Sequence, residues 1–336
     1  MKQTNLLGPW IKRFLTEHLI EEHNYSHNTQ RSYRDTLCLL LPFISNCAGK
    51  SVENIMVEDV SKERVRAFLT DLETRRNCSE VTRNQRLATI RSMANYIGLN
   101  SPEHMEWSIT IRVIPFKKTK HTEITYLEKE EMDALLNAPN LDTVLGRRDH
   151  AILLFMYNTG ARAGEVSSIR LSDFYLPQEP NRDLASVTIH GKGNKERKCP
   201  LWKKTVNEIA QLNVNQESSG YVFINRSGKP LTRFGIHSLV KRYTKIAAEK
   251  APSIVKKRVS PHTIRHTTAT HLLRAGVDIN TIRAWLGHVS INTTNIYAEI
   301  DLVMKANALA SCEPQIAQNT KRWKDDKQLM KFLHSL

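Results

Sequence analysis

Apolar residues recur at helical spacing from residue 1 to about residue 110, with no alternating strand pattern. The spacing predicts four helices, at 10–23, 29–44, 62–76 and 80–98. The last three follow serines that suit the N-cap position, namely Ser26, Ser61 and Ser79. Four helices joined by short polar segments predict a compact bundle.

Beyond the linker discussed below, helical spacing is joined by one alternating segment. Residues 185–202 alternate apolar and polar on both sides of a glycine-bearing turn, which predicts a β-hairpin. Helices are predicted at 128–138, 147–160 with Gly160 at its end, 163–171, 204–213, 234–249, 262–275, 278–286 and 290–298. The whole pattern therefore predicts a mainly α protein with a small antiparallel β-sheet.

The pattern breaks in the stretch RVIPFKKTKHTEIT, at about 112–125. Pro115 prevents a helix from continuing there, and Lys117, Lys118 and Lys120 crowd around it. We therefore expect a helical domain at 1–111, a basic linker at 112–124, a mixed domain at 125–311 and a C-terminal tail at 312–336. A length of 336 residues also suits two domains better than one.

The net charge of the chain indicates what kind of partner it binds. The chain has 49 Lys and Arg against 34 Asp and Glu, a net charge of +15. Such an excess attracts polyanions, so nucleic acid is the first expected partner and an anionic membrane surface the second, with an ordinary basic protein as the alternative. Candidates for phosphate contact are Arg83, Arg86, Arg91, Lys117, Lys118 and Lys120, although a solvated helix face would show the same pattern.

The cysteines and the lengths of the apolar runs indicate the cellular compartment of the protein. Five scattered cysteines without a C-x-x-C pair argue against a disulfide framework and against a zinc ribbon. The N-terminal stretch is interrupted by charges, unlike a signal peptide, and the longest apolar run, 151–157, is too short for a membrane span. We expect a cytoplasmic protein that does not enter a membrane.

Six residues could act together on a phosphodiester: Arg162, Lys192, His262, Arg265, His288 and Tyr297. A tyrosine hydroxyl can attack phosphorus when a histidine takes its proton and cations stabilise the phenolate. Two arginines can hold the phosphate oxygens, and a hairpin lysine can protonate the leaving sugar oxygen. His262 and Arg265, three apart on a predicted helix, face the same side.

Taken singly, each of these residues has an ordinary explanation. Arginines and lysines are most often surface charges, and a tyrosine on a helix is most often half-buried packing. A zinc site at His262, His266, His271 and His288 is disfavoured, because H-E-x-x-H does not occur and no cysteine is near. A nucleotide site is disfavoured as well, because G-x-x-x-x-G-K-[ST] is absent.

The order of the motifs is far more specific than any single one. The chain carries TGARAGEV at 159–166, GKGNKER at 191–197, SPHTIRHTTATHLL at 260–273, LGH at 286–288 and TNIY at 294–297. Residues 125–300 thereby resemble the tyrosine recombinases of the phage integrase and Xer family. SHNTQRSYRDTL at 26–37 more weakly resembles the opening of that family's helical core-binding domain.

The resemblance implies a two-domain clamp around duplex DNA, with an N-terminal SAM-like helical bundle and a C-terminal mixed α/β catalytic domain. It implies that Tyr297 forms a 3′-phosphotyrosine, with Arg162 and Arg265 as the phosphate clamp and Lys192 as the general acid. His262 would be a base or phosphate ligand, and His288 would steady the phosphate. No cofactor, metal or ATP is implied.

The implied partners are double-stranded DNA recombination sites, bound by a homo-tetramer or together with a second related recombinase. The tail 312–336 is expected to contact a neighbouring subunit or to pack on its own domain. One departure is visible at Ala161 and Gly164, where the family commonly has a bulky apolar residue and a serine or threonine. Glu165 is expected to brace the helix rather than to act in catalysis.

Integration, excision or transposition of a mobile element is the expected task. The alternatives are Xer-type dimer resolution, DNA relaxation like that of a type IB topoisomerase, and a catalytically silent DNA-binding homologue. All six candidate positions carry competent residue types, which disfavours the silent homologue.

Overall fold

The structure is a computed structural model. It describes residues 5–119, 124–176, 184–191, 193, 195–212, 220–287 and 327–336, with the side chains of the last segment described from residue 331 onward. The chain divides into two units, Met1–Thr122 and Glu123–Leu336.

The N-terminal unit is built from helices, as predicted. Its α-helices are α1 (Leu7–Arg13, continued by a π-helix at Phe14–Glu22), α2 (His27–Ala48), α3 (Lys62–Thr74), α4 (Glu80–Asn100) and α5 (Met105–Arg112). The hydroxyls of the three predicted caps accept backbone N–H bonds at the starts of α2, α3 and α4: Ser26 from Thr29, Ser61 from Arg64, and Ser79 from Thr82. The helical bundle expected from the sequence is confirmed.

Two features of this unit differ from the predicted helices. Helix α2 continues through Pro42 to Ala48, beyond its predicted end at residue 44. Helix α5 is a fifth helix that was not predicted. Its Ile111 is buried in the core, and its Trp107 donates Nε1–H to the carbonyl of Val60 at 2.9 Å. Short length hides such a helix, because two turns give little periodicity.

The second unit is mainly helical with a small sheet. Its helices are α6 (Lys129–Leu136), α7 (Val144–Thr159), α8 (Ala163–Ser168), α9 (Lys203–Leu212), α10 (Arg233–Lys250), α11 (Pro261–Arg274), α12 (Ile279–Leu286) and α13 (Lys327–His334). The sheet contains β1 (Phe174–Tyr175), β2 (Ser186–His190) and β3 (Glu196–Pro200), antiparallel in the order β1-β2-β3. The fold class is as expected. Strand β1 was not predicted, and the helix predicted at 290–298 lies outside the described residues.

Helix α7 is the centre of the second unit. Its run 151–157 is buried on every side, as expected for a helix without a polar face. It packs against α6, α9 and α11, and Thr268 on α11 donates its hydroxyl to the carbonyl of Tyr157 at 2.8 Å. This packing fixes the C-terminal end of α7, from which the candidate site begins.

The remaining expectations concern thiols and membranes. Cys38, Cys47, Cys78 and Cys199 are free thiols, and Cys312 lies outside the described residues. Within the described ranges, no helix has both the length and the apolar character that a membrane crossing requires.

Candidate active site

The first candidate arginine is placed by the turn that ends α7. Gly160 ends this helix in the left-handed conformation, with φ of 62°, as the sequence predicts. Arg162 then occupies the N-cap position of α8, and its side chain is 40% exposed. The exposed cation at a helix start is thereby presented to solvent from a rigid element.

Glu165 holds Arg162 in place. Its carboxylate accepts the backbone N–H of Arg162 at 2.8 Å and Nη1–H of the same residue at 2.8 Å. Burial would raise the pKa of Glu165, but bonds to Arg197 and Arg162 outweigh it and lower the pKa below its usual value. The side chain is therefore an ionised brace, in agreement with the structural role expected for it.

His262 and Arg265 lie three residues apart on α11 and differ in exposure, because His262 is exposed at the cleft whereas Arg265 is buried. Ser260 caps this helix, and Pro261 is its first residue. Arg265 is only 1% exposed, and it donates Nη1–H to the carbonyl of Gly160 at 2.8 Å and Nη2–H to that of Leu286 at 2.6 Å. The second candidate arginine thus ties the ends of α7 and α12 to α11.

A cleft of about 350 Å³ brings Arg162 and His262 together. Its described lining consists of Arg162, Ala163, Arg233, Phe234, His237, Ser260, Pro261 and His262. Arg233, Phe234 and His237 belong to none of the motifs found in the sequence. Their signal was the start of a helix after Thr232, where backbone N–H groups and nearby cations favour anions. Arg265 is not among the lining residues described.

Two histidines of α11, His262 and His266, have pKa values below the usual value for histidine. Burial lowers the pKa of His262, and the positive charges of Arg265 and Arg162 lower it further. Burial, His262 and Arg265 lower the pKa of His266 to about 4, and the two imidazole centroids lie 4.6 Å apart. Both rings are therefore neutral at neutral pH, so His262 can accept a proton at the cleft.

Lys192, His288 and Tyr297 lie outside the described residues. Their chain neighbours Gly191 and Gly287 are described. The N–H of Gly191 donates to the carbonyl of Lys195 at 2.7 Å, and Gly287 ends α12 with φ of 65°. The hairpin and the end of α12 are therefore formed next to two of the candidates.

The basic residues proposed for DNA contact differ from one another. Arg83 corrects the expectation of an exposed basic face on α4: it is 7% exposed and donates Nη1–H to the carbonyl of Pro115 at 3.3 Å. Lys117 forms an ion pair of 2.8 Å with Glu73, and the Arg91 guanidinium lies 4.7 Å from the ring centre of Phe116. Arg86 is half-buried, Lys118 is exposed, and Lys120 lies outside the described residues.

Potential metal ligands meet elsewhere, in the N-terminal unit. His18, Glu22 and His23 offer ligand atoms within 4.8 Å of one another. A π-helix has more residues per turn than an α-helix, so residues four and five apart approach one face. Sequence reasoning based on α-helical spacing could not bring these three together.

The comparisons with known proteins agree with this architecture. Residues 125–302 match the phage integrase family, and residues 11–97 match its N-terminal SAM-like domain. The integrase/recombinase y4rC of Sinorhizobium fredii is 36% identical over 332 residues, or 98% of each chain. The tyrosine recombinase XerD of Chlorobaculum tepidum is 30% identical over 312 residues, 87% of this chain and 93% of XerD.

A solved structure shows the same fold. The XerH site-specific recombinase, bound to palindromic difH substrate in a post-cleavage complex, aligns with a TM-score of 0.68 at 20% identity. The alignment covers 87% of this chain and 82% of XerH. The family matches and the recombinase relatives, together with this shared fold, identify the chain as a tyrosine recombinase. The chain belongs to the phage integrase family, whose shared activity is DNA strand transfer.

Proposed function

We propose that this protein is a site-specific tyrosine recombinase that cuts and rejoins DNA through a 3′-phosphotyrosine on Tyr297. The observation that supports this most strongly is the convergence of Arg162 and His262 on one cleft, although they lie on separate helices far apart in the chain. A cation can stabilise the negative charge that develops during attack on a phosphodiester, and a neutral imidazole beside it can accept the proton of the nucleophile.

The two arginines stabilise the charge that develops on phosphorus. Arg162 lines the cleft and can contact the non-bridging oxygens directly. Arg265 supplies the second positive charge from the interior, where its field already lowers the pKa of His262. A guanidinium in a poorly hydrated place acts more strongly than one in water, so burial does not disqualify Arg265.

The chemistry conserves phosphodiester bonds. The Tyr297 oxygen attacks phosphorus, the bond to the 5′ oxygen breaks, and Lys192 gives the leaving oxygen its proton. His262 takes the tyrosine proton or binds a phosphate oxygen, and His288 steadies the phosphate. One ester replaces another, so resealing needs neither ATP nor a metal.

The substrate is a pair of double-stranded DNA sites held by four protomers, either copies of this chain or a mixture with a second related recombinase. The net charge of +15 supports a polyanionic partner, and XerH is bound to a DNA substrate. Full-length similarity to y4rC, an integrase/recombinase, supports integration, excision or transposition of a mobile element.

Covalent trapping tests this function. A nicked DNA site loses a short fragment on cleavage, so the protein–DNA adduct accumulates and is resolved by denaturing electrophoresis. The wild type should form the adduct, and Tyr297→Phe should bind the same site without forming it. An adduct of undiminished yield in Tyr297→Phe would assign the nucleophile elsewhere.

A second assay separates recombination from relaxation. A plasmid with two sites should yield recombinant products, whereas a topoisomerase-like enzyme would only relax supercoils. A protein that binds the site but forms no adduct would be a silent homologue.

A further inference from the structure

Arg197 is a buried arginine on β3 that none of the steps above uses. It stands in the strand that follows the hairpin tip, and its side chain is only 7% exposed. Burial of a guanidinium is costly unless each charge is matched, so its partners indicate its purpose.

Those partners come from two other segments of the unit. Nη2 of Arg197 lies 2.8 Å from one carboxylate oxygen of Glu165, and Nη1 lies 3.2 Å from the other. Its Nε–H donates to the carbonyl of Trp285 on α12 at 2.8 Å. A two-oxygen contact plus a carbonyl contact needs the planar fork of arginine.

Two glycines leave the space that this side chain fills. A Cβ on Gly287 would lie 3.1 Å from Cδ of Arg197. A Cβ on Gly191 would lie 3.2 Å from the carbonyl of Lys195 and 3.8 Å from Nη1 of Arg197. These glycines belong to the LGH and GKG motifs, so both motifs close around the same guanidinium.

We propose that Arg197 is a positioning residue that sets the relative placement of three parts of the active site. Through Glu165 it fixes Arg162, through its own strand it fixes the hairpin that carries Lys192, and through Trp285 it fixes the end of α12, next to His288. This inference rests on the proposed recombinase function and adds a residue to it.

The charges around Glu165 explain why replacing Arg197 should affect the site. Arg162 and Arg197 face the Glu165 carboxylate, with the Cys199 thiol and Arg265 close by on β3 and α11. Burial raises the pKa of Cys199 to about 11, so the thiol stays neutral. Without Arg197, burial would raise the pKa of Glu165 with only Arg162 opposing it.

The test is single-turnover cleavage of the nicked site by full-length Arg197→Gln and Arg197→Lys. Displacing catalytic groups by about 1 Å can cost roughly 100-fold in rate, so we expect both variants to cleave about 10- to 100-fold more slowly. We expect the dissociation constant for DNA to stay within about 3-fold, because Arg197 does not touch the cleft surface.

The pH profile distinguishes positioning from a loss of packing. In the wild type Glu165 stays ionised between pH 6 and 8, because its pKa is lowered. In Arg197→Gln the raised pKa should make cleavage fall more steeply as pH falls from 8 to 6. Adding Glu165→Gln should remove that extra slope, because no carboxylate remains to titrate.

Lys198→Gln is the matched control, since it removes an exposed positive charge from the same strand. It should cleave within about twofold of the wild type, as surface substitutions away from packed features usually do. Wild-type cleavage rates in both Arg197 variants, an equal defect in Lys198→Gln, or melting of both Arg197 variants below the assay temperature would each overturn the proposal. The wild-type reaction distinguishes failure of this proposal from failure of the proposed function. If the wild type forms no adduct, the recombinase function is rejected. If the wild type forms the adduct and the Arg197 variants cleave at the same rate, only the role of Arg197 is rejected.

Discussion

Nη1 of Arg265 donates to the carbonyl oxygen of Gly160 at 2.8 Å, across 105 residues of sequence. The last carbonyls of a helix have no partner within the helix, so the end of α7 attracts a cation. The arginine of one motif is thereby anchored on the turn that leads to Arg162. One stretch of backbone, at residues 160–162, therefore connects the two candidate arginines.

Gly160 should be intolerant of a side chain. Its φ of +62° disfavours other residues, and an added Cβ would lie 2.5 Å from Cδ2 of Leu286. Gly160→Ala should therefore lower the free energy of unfolding by about 1–3 kcal/mol in denaturant titrations. Gly164→Ala is the control, because a Cβ there meets nothing within 4 Å and alanine favours the helix. Equal losses in both variants would contradict this account of the turn.

Local signals explain what the sequence predicted correctly. Ser26, Ser61 and Ser79 cap helices with a hydroxyl three residues from the N–H that it accepts, and Gly160 ends α7 through its own φ. The hairpin is also local, since β2 and β3 pair across a short turn. The family motifs supplied the candidate site, because their order along the chain is visible without a structure.

Distant partners explain what the sequence missed. Strand β1 has two residues and pairs with β2 across an intervening segment, so alternation alone could not reveal it. Spacing placed Arg83 on a basic face but could not show that Pro115 covers it. The ion pair between Arg197 and Glu165 joins residues 32 apart that belong to two different motifs, and neither motif indicates the pairing.

Asp149 should be a major contributor to stability in the second unit. Its fully buried carboxylate accepts from Arg148 at 2.6 Å and from the hydroxyl of Tyr243 at 3.0 Å, and it also pairs with Arg242. Asp149→Ala would leave the half-buried Arg148 and the Tyr243 hydroxyl without their acceptor and would remove the ion pair with the exposed Arg242, so we expect a loss of about 1–3 kcal/mol in the free energy of unfolding.

An exposed ion pair provides the comparison for Asp149. Asp133 pairs with Lys129 at 2.7 Å on the surface of α6. Asp133→Ala should cost less than about 1 kcal/mol, because solvent screens such a pair. Similar losses for the two alanine variants, measured by urea titration, would show that burial of Asp149 does not set its contribution.

His266 should make the folding stability depend on pH in a range above that in which most carboxylates titrate. Its pKa is about 4 in the folded protein and near 6.5 in the unfolded chain, so the unfolded state binds more protons between these values. Stability contributed by the neutral ring is complete above pH 6.5 and is lost as pH falls toward 4. The melting temperature should therefore drop between pH 7 and 5, where carboxylates contribute little.

Replacing His266 measures its contribution to the pH dependence of the melting temperature. His266→Gln should flatten the change in melting temperature between pH 7 and 5, whereas the exposed His27→Gln should leave it as in the wild type. His262 and His271, whose pKa values are also lowered, account for the slope that remains. An unaltered slope in His266→Gln would mean that its proton is not excluded by burial.

Arg83 and Lys118 should behave differently in DNA binding. Lys118 is exposed, so Lys118→Ala should weaken binding to all sequences and reduce the slope of log K against log salt by about 1. Arg83 is buried against Pro115, so Arg83→Ala should chiefly lower the melting temperature. If Arg83→Ala reduced the slope of log K against log salt as much as Lys118→Ala does, Arg83 would contact phosphate after all.

The C-terminal helix α13 should act between protomers rather than in cleavage. Phe332 and Leu333 near its end are 60% and 52% exposed, and neighbouring exposed apolar side chains mark contact surfaces. Deletion of residues 312–336 should therefore leave binding of a single DNA site intact but reduce the pairing of two sites in a native gel. The double variant Phe332→Ala/Leu333→Ala should reproduce the loss, while Lys331→Ala on the same helix should not. Normal two-site complexes in the truncated protein would remove the tail from assembly, and a defect in single-site binding would place it at the DNA instead.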